Sequence, residues 1–299
     1  MDKIGEKIKA LRISKRMTQS ELAGDQITRN MLSLIENGSA LPSLQTVMYL
    51  SERLGVPAGM FLARESEELI YRKMSELPKI KARYKAREYK LCAAMCEDLL
   101  GDGKDDEIDH ILSMCHFNIA KEAFNSGKLH TSCMELDLSC MHSENTIYGG
   151  GHIRSAAAVY FEYMLRLSPT LTSDFGYDSF DGEYVLSDPF CRYAVALRAF
   201  EANDTATVES YILQSEAEET CYVSHIKALV EMSGGDYQSA KTRLKAIINS
   251  DDTDCRVIMY DIFKNLEECC RETDDYKGAY EYSVGKVELL EHMLVETGL

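Results

Sequence analysis

Thr18-Gln19-Ser20-Glu21-Leu22-Ala23, then Gly24-Asp25-Gln26, then Ile27-Thr28-Arg29-Asn30-Met31-Leu32-Ser33-Leu34-Ile35-Glu36-Asn37-Gly38 is the stretch that decides the fold. Thr18 followed three residues later by Glu21 makes a capping box, so a short helix is predicted to begin there. Gly24-Asp25-Gln26 ends it. Thr28 caps a second helix in which Met31, Leu32 and Ile35 recur at the spacing of one apolar face, and Gly38 suits its C-terminal stop. Two short helices on a tight turn can set the second in the major groove of duplex DNA, its first residues nearest the base edges. Those residues are Thr28, Arg29, Asn30 and Ser33. Arginine pairs with guanine and asparagine with adenine, each through two hydrogen bonds.

Outward from this stretch the pattern completes five helices. Ile4, Ile8 and Leu11 give a first helix an apolar stripe, with Lys7, Arg12, Lys15 and Arg16 on its other faces. Pro42-Ser43 opens a fourth helix carrying Leu44, Val47, Leu50 and Leu54; Gly55-Val56-Pro57 ends it, and a fifth runs through Met60-Phe61-Leu62. Residues 4–65 resemble the Xre family of lambda-repressor-like DNA-binding domains. The resemblance rests on Ile8-x-x-Leu11-Arg12, Met17-Thr18-Gln19-x-Glu21-Leu22-Ala23, Ile35-Glu36-Asn37-Gly38, Pro42-Ser43 and Leu54-Gly55-Val56-Pro57. It implies that Gln19 and basic residues near Arg12 contact phosphates while the start of the recognition helix reads bases. The expected DNA-binding set is therefore Arg12, Lys15, Thr18, Gln19, Thr28, Arg29, Asn30, Ser33 and Asn37. Three residues separate Ala23 from Ile27 where the common Xre pattern has four. That shortened turn is similar to what Rgg- and PlcR-type peptide-sensing regulators carry.

The charge divides along the chain. Residues 1–60 hold eight Lys/Arg and six Asp/Glu, a net of +2, which leaves −18 for residues 61–299 of a total of −16. A DNA-binding head on an acidic body that phosphate repels fits this asymmetry, and the body reads as no second nucleic-acid surface. A head of +2 binds phosphate weakly as a monomer, so a homodimer, with doubled contacts, is expected. The 299 residues have room for two domains. No apolar run reaches the length of a membrane helix and no signal peptide precedes the head, so a cytoplasmic protein is expected. The ten cysteines, several set inside helical patterns, read as reduced core thiols.

From residue 66 onward the periodicity is helical, broken by turn residues near 101–106, 126–127, 143–151, 168–188, 203–204, 234–236, 249–254 and 273–275. A phrase recurs in which a large residue follows a turn and a small one comes three later. Its instances are Glu88-Tyr89-x-x-Cys92, Lys128-Leu129-x-x-Ser132, Asp236-Tyr237-x-x-Ala240 and Asp275-Tyr276-x-x-Ala279. Small residues at that position let adjoining helices approach closely. The unit from Cys221 to Asn249 resembles a tetratricopeptide repeat, and the whole body reads as five or six degenerate helix pairs, with an irregular helical bundle as the alternative. The expected organisation is all-α: a five-helix DNA-binding domain at 1–65 and a tetratricopeptide-like superhelical domain at 66–299.

An Xre head followed by such repeats resembles the Gram-positive regulators that sense short intracellular peptides. This implies a homodimer whose body holds a peptide in its concave face and repositions the two heads. First-helix residues would line that groove: Phe117, Lys121, Phe124 and Asn125 in one unit, His225, Leu229 and Met232 in another. Asn118 and Asn265 could offer side-chain amides to a peptide backbone. The competing reading of each is core or plain surface, and the competing function is a protein-interaction scaffold for which DNA contact is secondary.

No enzyme or cofactor signature emerges. Cys115-His116 and Cys140-x-His142 are the closest clusters to a metal site, but no CxxC or HxxxH pair accompanies them, so no metal is expected. Gly149-Gly150-Gly151 lacks the Lys-Ser/Thr of a phosphate loop, and Asp174-Phe175-Gly176 stands without the other kinase signatures. The acidic run from Asp102 to Asp109 reads as a helix start, where carboxylates favour the dipole.

Overall fold

The computed structural model describes residues 4–63, 68–101, 103–148, 150–173, 175, 188–215, 220–250 and 256–294. Every regular element among them is a helix. Gly149, the position 65/66 boundary, Asp102, Asp174 and Gly176 lie outside the described residues. The chain forms two compact units: Met1–Glu88 with Glu97–Asp102, and Tyr89–Cys96 with Gly103–Leu299.

The first unit holds α1 (Ile4–Ser14), α2 (Gln19–Ala23), α3 (Arg29–Glu36), α4 (Leu44–Leu54), α5 (Gly59–Leu62) and α6 (Glu68–Lys85). Ile8, Leu22, Leu32, Ile35, Val47, Leu50, Leu54 and Phe61 form one buried core. The α1–α3 crossing is close enough that a Cβ on Gly5 would sit 1.9 Å from the Ile35 carbonyl oxygen. Glycine is therefore required there. Tyr49, from α4, donates its hydroxyl to the Ala23 carbonyl at 2.9 Å and holds the end of α2.

α7 (Tyr89–Leu100) has residues in both units. The second unit continues with α8 (Asp106–Asn125), α9 (Leu129–Glu144), α10 (Gly151–Leu167), α11 (Pro189–Glu201), α12 (Thr205–Gln214), α13 (Cys221–Ser233), α14 (Tyr237–Ile248), α15 (Met259–Glu272) and α16 (Tyr276–Leu294). Among the described residues four consecutive pairs pack together, α8–α9, α11–α12, α13–α14 and α15–α16, while α10 packs between α9 and α11. The connection of α10 to α11 falls largely outside the described residues.

One turn repeats through the chain. Arg87, Gly127, Asn203, Gly235 and Asp274 all adopt positive φ, between 57° and 81°, each two residues before a helix begins. At every one, the left-handed residue donates its N–H three residues back, to Tyr84, Phe124, Phe200, Met232 and Arg271. The next residue donates five back, to Arg83, Ala123, Ala199, Glu231 and Cys270. These are Schellman-type stops that satisfy the last carbonyls of one helix and aim the next. Directly after four of these turns comes the recurring phrase: Tyr89, Leu129, Tyr237 and Tyr276 open helices, and Cys92, Ser132, Ala240 and Ala279 are buried.

The core of this unit is aromatic at its centre. The Phe124 ring lies 4.5 Å from Phe190 and 4.8 Å from Tyr160, and the chain of rings continues through Tyr163 and Tyr193 to Tyr222. Eight described cysteines are buried thiols, whereas Cys221 is disulfide-bonded, which corrects the expectation that all are reduced.

Candidate nucleic-acid interface and body cavity

The α2–α3 pair is built by its caps. Thr18 Oγ1 accepts from the Glu21 N–H at 3.2 Å, and Glu21 Oε2 accepts from the Thr18 N–H at 2.6 Å. Thr28 Oγ1 accepts from the Met31 N–H at 3.1 Å and so begins α3. Leu32 and Ile35 seat α3 on the core. The helical period then carries Arg29, Ser33 and Asn37 along another line of the helix. Arg29, Asn30 and Asn37 are exposed and Ser33 half-buried; Lys15, Thr18 and Thr28 are exposed beside them. Met31, expected on the buried face, is 41% exposed, and Leu34 is 49% exposed.

Arg12 and Gln19 are placed differently from the expectation. The Arg12 guanidinium grips Glu36 through two bonds, Nε to Oε1 at 2.6 Å and Nη2 to Oε2 at 2.9 Å, and Nη1 donates to the Met17 carbonyl. Gln19 Nε2 donates to the same Oε2 at 2.9 Å. Burial pushes the Glu36 carboxyl upward, but the bonds from Arg12 and Gln19 outweigh it and hold the group below its ordinary range. Arg12 is thus a strut joining α1 to α3, because a buried carboxylate needs a fixed cation.

In the second unit a cavity of about 410 Å³ opens among α10, α11, α13, α14 and α15. Of the expected groove residues, His225, Leu229, Met232 and Asn265 line it. Phe117, Asn118, Lys121, Phe124 and Asn125 do not. Phe124 is wholly buried in the aromatic cluster, where removal from water is worth about 1.5–3 kcal/mol, so its groove assignment is corrected to core. Asn118 donates to its own helix at the Met114 carbonyl, 2.7 Å away. Asn125 is half-buried near the end of α8. Lys121 bonds Asp188 at 2.7 Å and lies over the half-buried Phe117 ring. Burial pushes Asp188 upward, yet Lys121, the Cys191 N–H and the Tyr160 hydroxyl together hold it below its ordinary range.

Deep in the cavity wall, His225 is fully buried between Tyr193 and Asn265. Its Nδ1 is 2.8 Å from the Tyr193 hydroxyl and its Nε2 is 2.8 Å from Asn265 Nδ2. Since the amide nitrogen only donates, Nε2 is assigned as the acceptor and Nδ1 carries the proton. Burial drives the His225 pKa down to about 4, so the ring is neutral. Asp261, also on the wall, accepts from the Tyr163 hydroxyl at 2.8 Å. Arg166 bonds Glu201 at 2.7 Å; burial lowers its pKa, but Asp261 and Glu201 reverse the shift. Lys264 and Glu268, which the turn-glycine register does not single out, complete a mixed-charge lining. Its signal was the i, i+3, i+4, i+7 set Asp261, Lys264, Asn265 and Glu268 on α15.

The two histidines of the suspected metal clusters pair with carboxylates: His116 Nδ1 with Glu135 at 2.7 Å, His142 Nδ1 with Asp109 at 2.8 Å. Among the described residues no group of three or more His, Cys, Asp or Glu is arranged to hold a metal, and no helix is long and apolar enough to cross a membrane.

No curated protein matches the chain. Among solved structures it is similar to PlcR of Bacillus thuringiensis in complex with a peptide and DNA, at 16% identity over 100% of this chain and 98% of that one, TM-score 0.28. The apo form of the competence regulator ComR from Streptococcus vestibularis shares 16% identity over 99% and 97%, TM-score 0.20. ComR from S. thermophilus, in complex with DNA and its signalling peptide, shares 15% over 96% and 99%, TM-score 0.22. The family described as "Helix-turn-helix domain" matches residues 5–67, the stretch that carries α1 to α5. The first unit therefore contains a helix-turn-helix domain.

Proposed function

We propose that the chain is a sequence-specific, DNA-binding transcriptional regulator of the cytoplasm. It acts as a homodimer, with residues 1–65 reading DNA and residues 66–299 sensing a ligand. The observation that carries this is the doubly capped α2–α3 pair, with Arg29 and Asn30 exposed on the first turn of α3. In this reading Arg29, Asn30 and Ser33 face base edges, and Lys15, Thr18, Thr28 and Asn37 face the backbone.

A short peptide is the ligand that best suits the body. The cavity offers charges of both signs beside an amide and the apolar Leu229 and Met232, which matches a chain with ionic ends, backbone amides and side chains. Fluorescence anisotropy of the full protein against DNA from upstream of its own gene, as a salt series with scrambled competitor, tests the reading. Tight, selective binding with a steep salt slope, shifted by a peptide, is the expected result. Binding indifferent to sequence would favour the scaffold reading.

A further inference from the structure

The acidic average of residues 61–299 hides a run of opposite sign. Residues 72–87 read Arg-Lys-Met-Ser-Glu-Leu-Pro-Lys-Ile-Lys-Ala-Arg-Tyr-Lys-Ala-Arg: seven Lys/Arg against one glutamate, a net of +6 in a chain of −16. These residues occupy α6 and the turn after it, within the same compact unit as the helix-turn-helix domain. α6 packs on α5, and Gly59 exists without a side chain where the Tyr71 ring presses in: a Cβ there would lie 2.4 Å from the Tyr71 hydroxyl. The basic residues are thus carried on a rod seated against the DNA-reading domain.

Their charge is turned outward. Lys79, Lys81, Arg83, Lys85 and Arg87 are all exposed. Arg83 pairs with Glu88 at 2.7 Å and Lys79 with Glu76 at 2.8 Å, both exposed pairs of the kind that exchange readily for another anion. Among the described residues Lys85 and Arg87 have no ion pair. At a rise of 1.5 Å per residue, Lys79 to Lys85 lie roughly 12–21 Å along α6 from Tyr71, or about four to six base pairs of duplex.

We infer that the basic segment of α6 is a second DNA contact, holding backbone phosphates outside the sequence that α3 reads. Its ligand is the duplex backbone, without base preference. This rests on DNA binding by the first unit, and it supplies what a head of +2 lacks: enough neutralised phosphate for affinity. The seating on α5 favours DNA over other polyanions, since a duplex whose major groove takes α3 presents a continuous row of phosphates to the same unit.

The test uses the full chain with a mixed-sequence duplex of about 40 bp, measured by anisotropy between about 50 and 200 mM salt. The variant Lys81→Gln/Lys85→Gln/Arg87→Gln is compared with Lys104→Gln/Lys245→Gln/Lys277→Gln, which removes equal charge from exposed sites in the second unit. Loss of three phosphate contacts makes the slope of log K against log salt shallower by about 2.7, so the affinity ratio of wild type to variant narrows about 40-fold across that range. The control keeps the wild-type slope. An unchanged slope in the α6 variant, or an equal change in the control, overturns the inference. So does a slope effect seen with single-stranded RNA and not with duplex, or a change confined to the sedimentation coefficient. An Arg29→Ala/Asn30→Ala protein separates the two ideas. Should wild type and this variant bind all duplexes alike, the regulator reading fails, while the α6 slope effect stands or falls by itself.

Discussion

His225 gives the body a built-in acid sensitivity whose size follows from its surroundings. The ring is fully buried, faces Tyr193, Asn265, Asp261 and Arg166, and has its pKa driven from 6.5 to about 4 by loss of solvation. Between these values the unfolded chain binds a proton that the folded one refuses, so stability falls as pH falls, beginning below 6.5 and ending near 4. Linkage puts the loss at about 2 kcal/mol by pH 5 and about 3 kcal/mol by pH 4. Urea denaturation of wild type and His225→Gln from neutral pH to pH 5 reads it directly. The variant starts from its own stability, so the comparison is between slopes: its stability changes about 2 kcal/mol less than wild type over that interval. Parallel pH profiles for the two proteins would refute the reasoning, as would a His225 resonance titrating near its ordinary value.

Replacing Arg29 or Asn30 with Ala costs about 1–3 kcal/mol of operator binding and relaxes specificity at one base position; uniform weakening on all sequences would make that residue a phosphate anchor. Arg12→Ala leaves the Glu36 carboxylate buried without its cation and destabilises the first unit by about 3–5 kcal/mol in chemical denaturation, whereas a loss below about 1 kcal/mol would return Arg12 to the surface. Gly5→Ala forces a methyl against the Ile35 carbonyl and costs at least about 1–3 kcal/mol, read as a lowered Tm of the full protein; an unchanged Tm would show that α1 and α3 can part freely.

The caps and turns carried most of what could be read from the chain. Thr18, Thr28 and Ser43 each begin the helix expected of them, because a cap is settled by residues within three positions of each other. Gly127 and Gly235 announced two of the five Schellman turns, and Asn203 and Asp274 lie in segments of turn residues. Before Arg87 the sign is only the Glu88-Tyr89-x-x-Cys92 phrase, with no glycine, asparagine or aspartate at the left-handed position. The Arg12–Glu36 strut was invisible for another reason: its partners are 24 residues apart and meet only when α1 crosses α3. On α8 the register from the turn glycine picks out Phe117, Lys121, Phe124 and Asn125 but cannot tell groove lining from core. Whether Phe124 meets a cavity or Phe190 depends on α11, far along the chain.

The cavity's polar network bears on how the proposed sensing would work. Tyr163 on α10 is bonded to Asp261 on α15, and Tyr193 on α11 to His225 on α13, which holds Asn265 on α15. Two short chains of hydrogen bonds therefore fix the spacing of four helices drawn from successive repeats. Each is wholly or nearly dry, so a broken member left without a partner costs more than the bond itself contributes. A ligand that takes Asn265 or Asp261 for its own amides must supply replacements. If its geometry differs from that of Tyr163 or His225, α10 and α15 must shift to keep every group satisfied. Interfaces such as the one at Ala240 are tightly packed, so a small adjustment at α15 would be passed on rather than absorbed. Differential satisfaction of this network, and not the cavity's volume, is what would let a bound peptide favour one spacing of the repeats over another.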